Sequence, residues 1–214
     1  MIILPREHFS WGQLSLWETD KEKYKKLYFL DGERFRPNQG MIKGKEMADS
    51  LINGDLTGDI LLDSVMEMLP KYEIKDVPFL VDYKIGKEII KLWIQPDTYK
   101  KDLSETIEYK TAQIGENALG EKKTFWTQKM VDENGQITFY STGIYLKTKK
   151  IPGSKLIEVE TEKLNPGEKK SKLVATGEYN CFDTKRSLAQ ILRMLARINK
   201  ATKEISKEYQ EYLF

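Results

Sequence analysis

Two residue types that build many active sites are almost missing from this chain. Among its 214 residues there is one cysteine, Cys181, and one histidine, His8. A single cysteine excludes an internal disulfide and any four-cysteine zinc or iron–sulfur site within one chain. With a single histidine, a Ser-His-Asp hydrolase or a histidine-rich zinc site is not expected either. We therefore expect a reducing, cytoplasmic setting and no iron–sulfur cluster.

Long apolar runs and glycine-rich phosphate loops are also lacking. No stretch approaches the roughly 18–20 apolar residues that span a membrane, and the first ten residues carry no cleavage pattern of a secretory signal. Because no Walker-type glycine loop is found, ATP-driven activity within this chain is not expected. Hydrophobic residues make up 40% of the chain and charged residues 32%. These fractions are typical of a globular protein with a charged surface and no membrane partner.

Positive and negative charges are unevenly distributed. The formal net charge is +2, yet residues 141–214 carry fifteen Lys and Arg against nine Asp and Glu, a balance of +6, while residues 1–140 have a balance of −4. A basic C-terminal third is compatible with a polyanionic partner. A helix face that only contacts water explains the same excess, and on charge alone this second explanation is the stronger.

The pattern of apolar residues predicts helices, then three strands, a helix, two strands and a final helix. Helices are predicted where apolar residues recur every three or four positions, and strands where β-branched and aromatic residues cluster between turns. Ser10 with Gln13, and Thr184, are the predicted helix caps. The predicted helices span 10–30, 41–52, 59–69, 134–149 and 184–212, and the predicted strands span 72–84, 87–99, 104–113, 155–163 and 171–182. This order predicts an α/β fold in one domain over residues 1–214, with a mixed, mostly antiparallel sheet flanked by helices.

Three polar residues fall at the end of the second predicted strand and within the third. Asp97 lies in QPDTY, and Glu108 and Lys110 lie in ETIEYKTA. Side chains two positions apart share one face of a strand, so Asp97 can approach Glu108 if the two strands pair. Two carboxylates repel unless positive charge lies between them, and Mg²⁺ prefers such oxygen ligands. Because a bound cation polarises a phosphate and Lys110 can stabilise charge on phosphorus, this set predicts phosphodiester hydrolysis.

The same spacing has a simpler explanation. An Asp followed about ten residues later by Glu-x-Lys occurs often by chance, and Glu and Lys are common on exposed strand edges. In that case Glu108 and Lys110 would face solvent. The context favours chemistry, because Asp97 ends an apolar strand and Glu108 comes just after the start of the next.

Four short segments in order resemble the PD-(D/E)XK nuclease superfamily, most closely its RecB-like exonuclease branch. Pro96–Asp97 and the EYK of Glu108–Lys110 look like the signature of the superfamily. FSWGQLSLWETDKEKYKKLYF is similar to the N-terminal helix of that branch, and IKGKEMADSL looks like its glycine-containing helix. GQITFYSTGIYL contains Gln136 and Tyr140 as the Q-x-x-x-Y motif that follows the catalytic strand. The similarity covers roughly residues 9–200.

The resemblance implies a restriction-endonuclease-like core and a set of site residues. Asp97, Glu108 and the backbone carbonyl of Tyr109 would hold Mg²⁺ or Mn²⁺, and Lys110 would be the catalytic lysine. Gln136 and Tyr140 would face the site from their helix and help to hold DNA or the catalytic strand. One helical turn separates these two residues, so both point the same way.

Two positions depart from the family pattern. Where many relatives carry a metal-binding histidine, four residues after the helix glycine Gly44, this chain has Ala48. Either another residue completes the metal shell or the metal binds more weakly. Thr19–Asp20 replaces the Cys-Pro of the first helix, a position at which several relatives bind an iron–sulfur cluster. With Cys181 alone, this chain cannot build one.

The leading interpretation is a metal-dependent, exonuclease-like DNA nuclease in DNA repair, recombination, or mobile-element or phage DNA processing. Arg193 and Arg197, with Arg186 and Lys200, recur at spacings that can form one basic stripe along the final helix, and we expect it to hold the DNA backbone independently of sequence. One alternative is a non-catalytic DNA- or partner-binding module that retains the fold, a reading kept open by Ala48. Another is a structural protein whose basic final helix binds a partner.

Overall fold

The protein is described by a computed structural model, which covers residues 1–30, 39–113, 115–116, 122–123, 125–164 and 172–213. The helices are α1 (Trp11–Thr19), α2 (Lys21–Tyr28), α3 (Gln39–Asn53), α4 (Ile60–Met68), α5 (Gln128–Asp132), α6 (Gly135–Thr148) and α7 (Leu188–Leu213). The strands are β1 (Phe9–Ser10), β2 (Ile74–Lys75), β3 (Phe79–Ile85), β4 (Glu88–Ile94), β5 (Thr98–Tyr99), β6 (Glu105–Gln113), β7 (Gly115–Glu116), β8 (Lys122–Lys123), β9 (Gly153–Leu164) and β10 (Lys172–Lys185).

The described strands form two sheets of mixed direction, with helices packed against them, and a separate β7–β8 pair. The first sheet has the order β1-β4-β3, and the second has the order β10-β9-β6-β5-β2. Most neighbouring strands are antiparallel, while β1 is parallel to β4 and β6 is parallel to β9. This arrangement confirms the predicted α/β class with a mostly antiparallel, mixed sheet, and it is consistent with a restriction-endonuclease-like core.

The two long strands predicted around IGK are each divided. β3 and β4 form the predicted hairpin, with Phe79 opposite Ile94 and a left-handed Gly86 in the turn. Proline lacks the N–H that a strand interior donates, and Pro78 and Pro96 lie where the two strands break. The short strand β5 therefore leaves the first sheet and pairs with β6 in the second, with Thr98 opposite Ile107. This change of sheet carries Asp97 to the edge of β6.

The predicted helix over 10–30 is in fact two helices. Asp20 ends α1 with an extended backbone, and its side chain accepts a hydrogen bond from the N–H of Lys23 at 2.9 Å, which caps α2. Aspartate is among the strongest helix-capping residues, so the chain restarts there. Ser10 caps α1 as predicted, but the Gln13 amide donates to the His8 carbonyl. The predicted reciprocal bond between Ser10 and Gln13 is therefore absent.

The final helix begins four residues later than predicted. Thr184 belongs to β10, and α7 starts at Leu188. The Ser187 hydroxyl accepts a hydrogen bond from the N–H of Gln190, and the Gln190 side chain accepts one from the N–H of Ser187. This reciprocal pair is a capping box. Asn134 caps α6, in agreement with the predicted start of that helix.

The main apolar cores lie on either side of the site. One packs α1, α2, α6 and α7 against the first sheet, and the other packs α3 and α4 against one face of the second sheet. Gly143 lets α6 approach β4 closely, because a Cβ atom there would lie 2.3 Å from the Ile94 side chain. Ile94 stands three residues before Asp97, so this contact fixes the strand that delivers the carboxylate.

Candidate active site

Asp97 takes the place of a strand partner at the edge of β6. The N–H of Tyr109 donates to Asp97 Oδ2 at 2.7 Å, at the point where β5 has ended. The N–H and C=O of one strand residue point to the same side, so the Tyr109 carbonyl also faces this edge. The Asp97 carbonyl accepts from the N–H of Asp76 at 2.8 Å, which fixes the loop from behind.

Glu108 is a buried carboxylate with one oxygen left over. Glu108 is 1% exposed, and its side chain lies on the face of β6 opposite the Tyr109 side chain. Lys110 Nζ lies 3.4 Å from Oε2, whereas Oε1 is buried and has no hydrogen-bond partner among the described residues. Burial, reinforced by the negative charge of Asp97, raises the pKa of Glu108 to about 8. Buried polar atoms are almost always hydrogen-bonded, so this oxygen requires an explanation.

The Asp97 carboxyl is perturbed in the same direction. Burial raises its pKa, and the carboxylates of Asp76 and Asp49 add to the rise, while Lys110 and the Tyr109 N–H oppose it. The negative charge of Asp97 in turn raises the pKa of Glu108. Such a pair favours a proton or a cation in its vicinity. The unpartnered Oε1, the neighbouring Asp97 and the Tyr109 carbonyl form an all-oxygen donor set that suits a hard divalent cation.

Lys110 lies on the same face as Glu108 and carries a positive charge. Burial lowers its pKa, but the negative charges of Glu108 and Asp97 outweigh that effect, and the pKa of Lys110 is raised overall. Besides the contact with Glu108, the ammonium lies 3.3 Å from Gln136 Oε1. A lysine held in this way acts as a fixed cation rather than as a base.

Gln136 and Tyr140 lie where the helical spacing predicted, one turn apart on α6. Gln136 accepts from Lys110 through Oε1 and donates from Nε2 to the Tyr140 hydroxyl at 3.1 Å. Tyr140 is buried, and burial raises its pKa, so its hydroxyl stays protonated. The pair connects α6 to the lysine of β6.

The predicted basic stripe is wrong at one of its members. Arg186 is 3% exposed and precedes α7 instead of lying along it. Its guanidinium donates to the hydroxyls of Thr138 and Thr184 and to the carbonyls of Val131 and Asn134. Burial among these neutral acceptors lowers its pKa to about 10. Arg186 therefore joins the start of α6 to the end of β10 and is not available to a ligand.

The two arginines predicted to bind DNA differ in their surroundings. Arg193 is exposed on α7. Arg197 is half-buried, donates from Nε to Glu18 Oε1 at 3.0 Å and lies over the Trp11 ring. The charge of Arg197 is therefore already balanced by Glu18, whereas Arg193 presents its charge to solvent.

Charged residues outside the predicted set also surround the site. Asp76 has a left-handed backbone with φ of 47°, and its carboxylate accepts from the Gln95 amide at 2.7 Å. Lys45 and Asp49 form an ion pair at 2.8 Å on α3. Residues with a strained backbone, such as Asp76, cluster at functional sites. An aspartate followed by Val-Pro gave no usable signal of this role in the sequence.

The helix that lacks the family histidine packs next to the site. A Cβ atom at Gly44 would lie 3.2 Å from Thr111 Oγ1, so α3 approaches β6 closely at this glycine. Ala48 is half-buried one turn further along α3. Within the described ranges, no group of three or more His, Cys, Asp or Glu side chains is arranged to hold a metal ion. Asp97 and Glu108 are the two acids whose negative charges raise the pKa of Lys110.

Comparison with known proteins shows which solved structures share the fold of this chain. No protein-family model matches the sequence, and no curated protein matches it. Two crystal structures of the alkaline exonuclease LHK-Exo from Laribacter hongkongensis match with a TM-score of 0.51 at 14% identity. The match to the complex of that enzyme with dAMP covers 98% of this chain and 92% of the enzyme. The chain thus shares the fold of an exonuclease over almost its whole length.

None of the helices in the described part of the chain is both long enough and apolar enough to cross a bilayer.

Proposed function

We propose that this protein is a metal-dependent deoxyribonuclease of the PD-(D/E)XK superfamily, in its RecB-like exonuclease branch. The observation that carries this proposal is the buried, unpartnered Oε1 of Glu108, beside Asp97 and Lys110. A buried anionic oxygen without a partner costs free energy. The unpartnered oxygen is explained if the site binds a cation when the protein functions.

Three groups of this chain would hold Mg²⁺ or Mn²⁺: the carboxylates of Asp97 and Glu108 and the carbonyl of Tyr109. When bound, the cation polarises a phosphate oxygen and lowers the pKa of a water molecule. Lys110 contributes a fixed positive charge close to the carboxylates. A preorganised cation stabilises the negative charge that develops on phosphorus during hydrolysis.

Gln136 and Tyr140 act on Lys110 rather than on the substrate. The Gln136 carbonyl oxygen accepts from the lysine, and its amide is oriented by the Tyr140 hydroxyl. Because positioning errors of about 1 Å can cost ~10²-fold in rate, this pair determines how effectively the ammonium faces the reacting phosphate. Of the two roles that the sequence motif implies, holding DNA or holding the catalytic strand, we propose the second for Gln136 and Tyr140.

DNA is the proposed substrate, bound mainly through its phosphates. The exonuclease that shares the fold was crystallised with dAMP, a DNA mononucleotide. Arg193 and, to a smaller extent, Arg197 would contact the backbone from α7, and such contacts carry no base sequence. We place the protein in the cytoplasm, in DNA repair, recombination, or mobile-element or phage DNA processing.

A second candidate is a DNA- or partner-binding module that retains the fold without cleavage. It is favoured by Ala48, whose side chain cannot ligate a metal. Among the described residues there is also no group of three or more His, Cys, Asp or Glu side chains that could hold one. The two candidates differ in one property. The nuclease requires a divalent cation for its effect on DNA, and the binding module does not cleave with any cation.

The test is a cleavage assay on linear duplex, circular duplex and single-stranded DNA, with Mg²⁺, with Mn²⁺ and with EDTA. We expect loss of linear and single-stranded DNA only when a divalent cation is present, with circular duplex resistant. In the same assay, Glu108→Gln should lose most of this cleavage. Glu160→Gln is its matched control, because Glu160 is also a buried carboxylate of the second sheet. Absence of cleavage under all conditions would leave the binding module as the better account.

A further inference from the structure

Phe125 is an exposed aromatic residue in the short segment that leads into α5. Its side chain is 59% exposed, although large apolar side chains are usually buried. Its ring lies 5.6 Å from the Trp126 ring in an edge-to-face arrangement, with 77° between the ring planes. Trp126 itself packs against the core cluster beneath α5 and α6. One ring of the pair is therefore anchored and the other faces outward.

The backbone beneath Phe125 is held unusually firmly. The N–H groups of Phe125 and Trp126 both donate to Glu158 Oε1, at 3.1 and 3.2 Å. Glu158 is 1% exposed, and charged acceptors form the stronger hydrogen bonds. Thr127 then caps α5 by accepting from the N–H of Met130. An exposed ring on a fixed backbone can bind a flat ligand with little loss of conformational entropy.

The strand register places this segment beside the candidate active site. Glu158 on β9 is the partner of Lys110 on the parallel strand β6. Neighbouring strands lie ~4.8 Å apart and partner side chains share one face of the sheet. The backbone N–H of Phe125 is thus bonded to Glu158, the residue of β9 that lies beside Lys110. A nucleotide whose phosphate lies at Lys110 would therefore enter the site beside the segment that carries Phe125.

We propose that Phe125 stacks on an unpaired base of the strand whose backbone enters the site. This inference rests on the proposed nuclease function and specifies its substrate: a single strand or a frayed end. In an intact duplex the faces of each base are covered by its neighbours, so a protein ring can stack only on a base that is splayed out or single-stranded. Because every base has a flat π-face, such a contact tolerates any sequence.

The experiment measures binding by fluorescence anisotropy with two probes of about twelve nucleotides. One is oligothymidylate, and the other is the same backbone with abasic sites in place of the bases. Both are titrated in Ca²⁺, with the probes checked for integrity afterwards. The variants are Phe125→Ala, Phe125→Trp and, as a control, Tyr212→Ala, which truncates another half-exposed aromatic side chain far along α7.

We expect the wild-type protein to bind oligothymidylate about 5- to 100-fold more tightly than the abasic probe, the range that one stacked base supplies. Phe125→Ala should lose most of this preference by weakening oligothymidylate binding alone. Phe125→Trp and Tyr212→Ala should keep it. Because Phe125 is exposed, the thermal unfolding curves of the wild type, Phe125→Ala and Phe125→Trp should nearly coincide.

Three results overturn the inference, and they do so for different reasons. If the wild type binds both probes and Phe125→Ala keeps the wild-type preference, stacking by Phe125 is wrong while the proposed function stands. The same holds if the wild type does not distinguish the probes. If the wild type binds neither probe, the proposed function falls together with the inference.

Discussion

Two buried glutamates on neighbouring strands show how differently the same side chain can be used. Glu108 on β6 and Glu158 on β9 are each 1% exposed and lie on the same face of the second sheet. Glu158 is fully bonded, since Oε1 accepts two backbone N–H groups and Oε2 accepts from Asn180. Glu108 keeps Oε1 without a partner among the described residues. Burial of an acid therefore does not define a site, whereas an unused buried acceptor indicates one.

Replacing each glutamate in turn tests this comparison, and the largest expected effect is on DNA cleavage. Glu108→Gln keeps the shape of the side chain and removes the charge that the cation needs, so metal-dependent cleavage should fall on the order of 10³-fold, the equivalent of several kcal/mol of transition-state stabilisation. Glu158→Gln should lower it far less. The measurement is the initial rate of release of acid-soluble nucleotides in Mg²⁺. Equal losses in the two variants would show that Glu108 has no special role.

The second effect concerns Lys110 and its support. Gln136→Ala removes the acceptor that holds the ammonium on the α6 side, so kcat should fall about 10- to 100-fold through misplacement of the charge. KM for DNA should stay nearly constant, because Gln136 is proposed to position Lys110 and not to bind substrate. Gln136→Glu restores an acceptor and should recover part of the activity. A rise in KM at constant kcat would instead assign Gln136 to DNA binding.

The third effect is on stability, and its sign should differ between the two glutamates. In EDTA at pH 8, Glu108→Gln should raise the free energy of unfolding by ~1–3 kcal/mol, because burial and Asp97 disfavour the Glu108 charge more than Lys110 favours it. Glu158→Gln should lower it by a similar amount, because an acceptor of two N–H groups is weakened. Urea denaturation checks both values. Two changes of the same sign would contradict the distinction drawn between these side chains.

The stability that Glu108→Gln gains over the wild type should depend on pH in a defined direction. The pKa of Glu108 is raised in the folded protein, from 4.5 to about 8, so the folded state holds a proton that the unfolded state releases. The contribution of Glu108 to the free energy of unfolding is fully present below pH ~4.5 and is lost as the pH rises towards 8. The advantage of the variant should therefore shrink as the pH is lowered through this range. A constant advantage at all pH values would argue against a buried, titrating Glu108.

The position of Asp97, Glu108 and Lys110 could be predicted from the sequence because it follows from local rules. Period-two alternation places Glu108 and Lys110 on one face, and the proline before Asp97 marks the end of a strand. The bonds of Glu158 could not be predicted in this way, because they require the register between β6 and β9, whose partners are more than forty residues apart in the chain. Local propensity contains no information about such pairing.

The misassigned Arg186 has a related cause. Charge spacing along the chain cannot tell which arginine of a basic segment turns inward. Arg186 precedes the capping Ser187 and therefore stands at the junction of β10 and α7, where its guanidinium donates to the carbonyls of Val131 and Asn134. Buried backbone carbonyls need such donors. The break at Asp20 is different, because an aspartate within a helical pattern is a recognised start signal that we could have used.

The smallest expected effect compares the exposed Arg193 with the half-buried Arg197 on α7. Arg193→Glu should weaken DNA binding several-fold and lower the slope of log K against log salt by about one, as for the loss of one phosphate contact. Arg197→Glu should have a smaller effect, because its charge is already paired with Glu18. Anisotropy over a salt series checks both. Affinity that is flat with salt, or that survives both changes together, would mean that this helix face only contacts water.

The most direct test of the central claim is a calorimetric titration of Mn²⁺ into the wild-type protein, Glu108→Gln and Glu158→Gln, with folding verified by circular dichroism. The claim is that the unused oxygen of Glu108 is a cation ligand, whereas the oxygens of Glu158 are occupied by the protein. We expect the wild type and Glu158→Gln to bind Mn²⁺ with similar affinity and Glu108→Gln to bind it at least 10-fold more weakly, a loss of about 1.4 kcal/mol or more. Unchanged Mn²⁺ affinity in Glu108→Gln would contradict the claim.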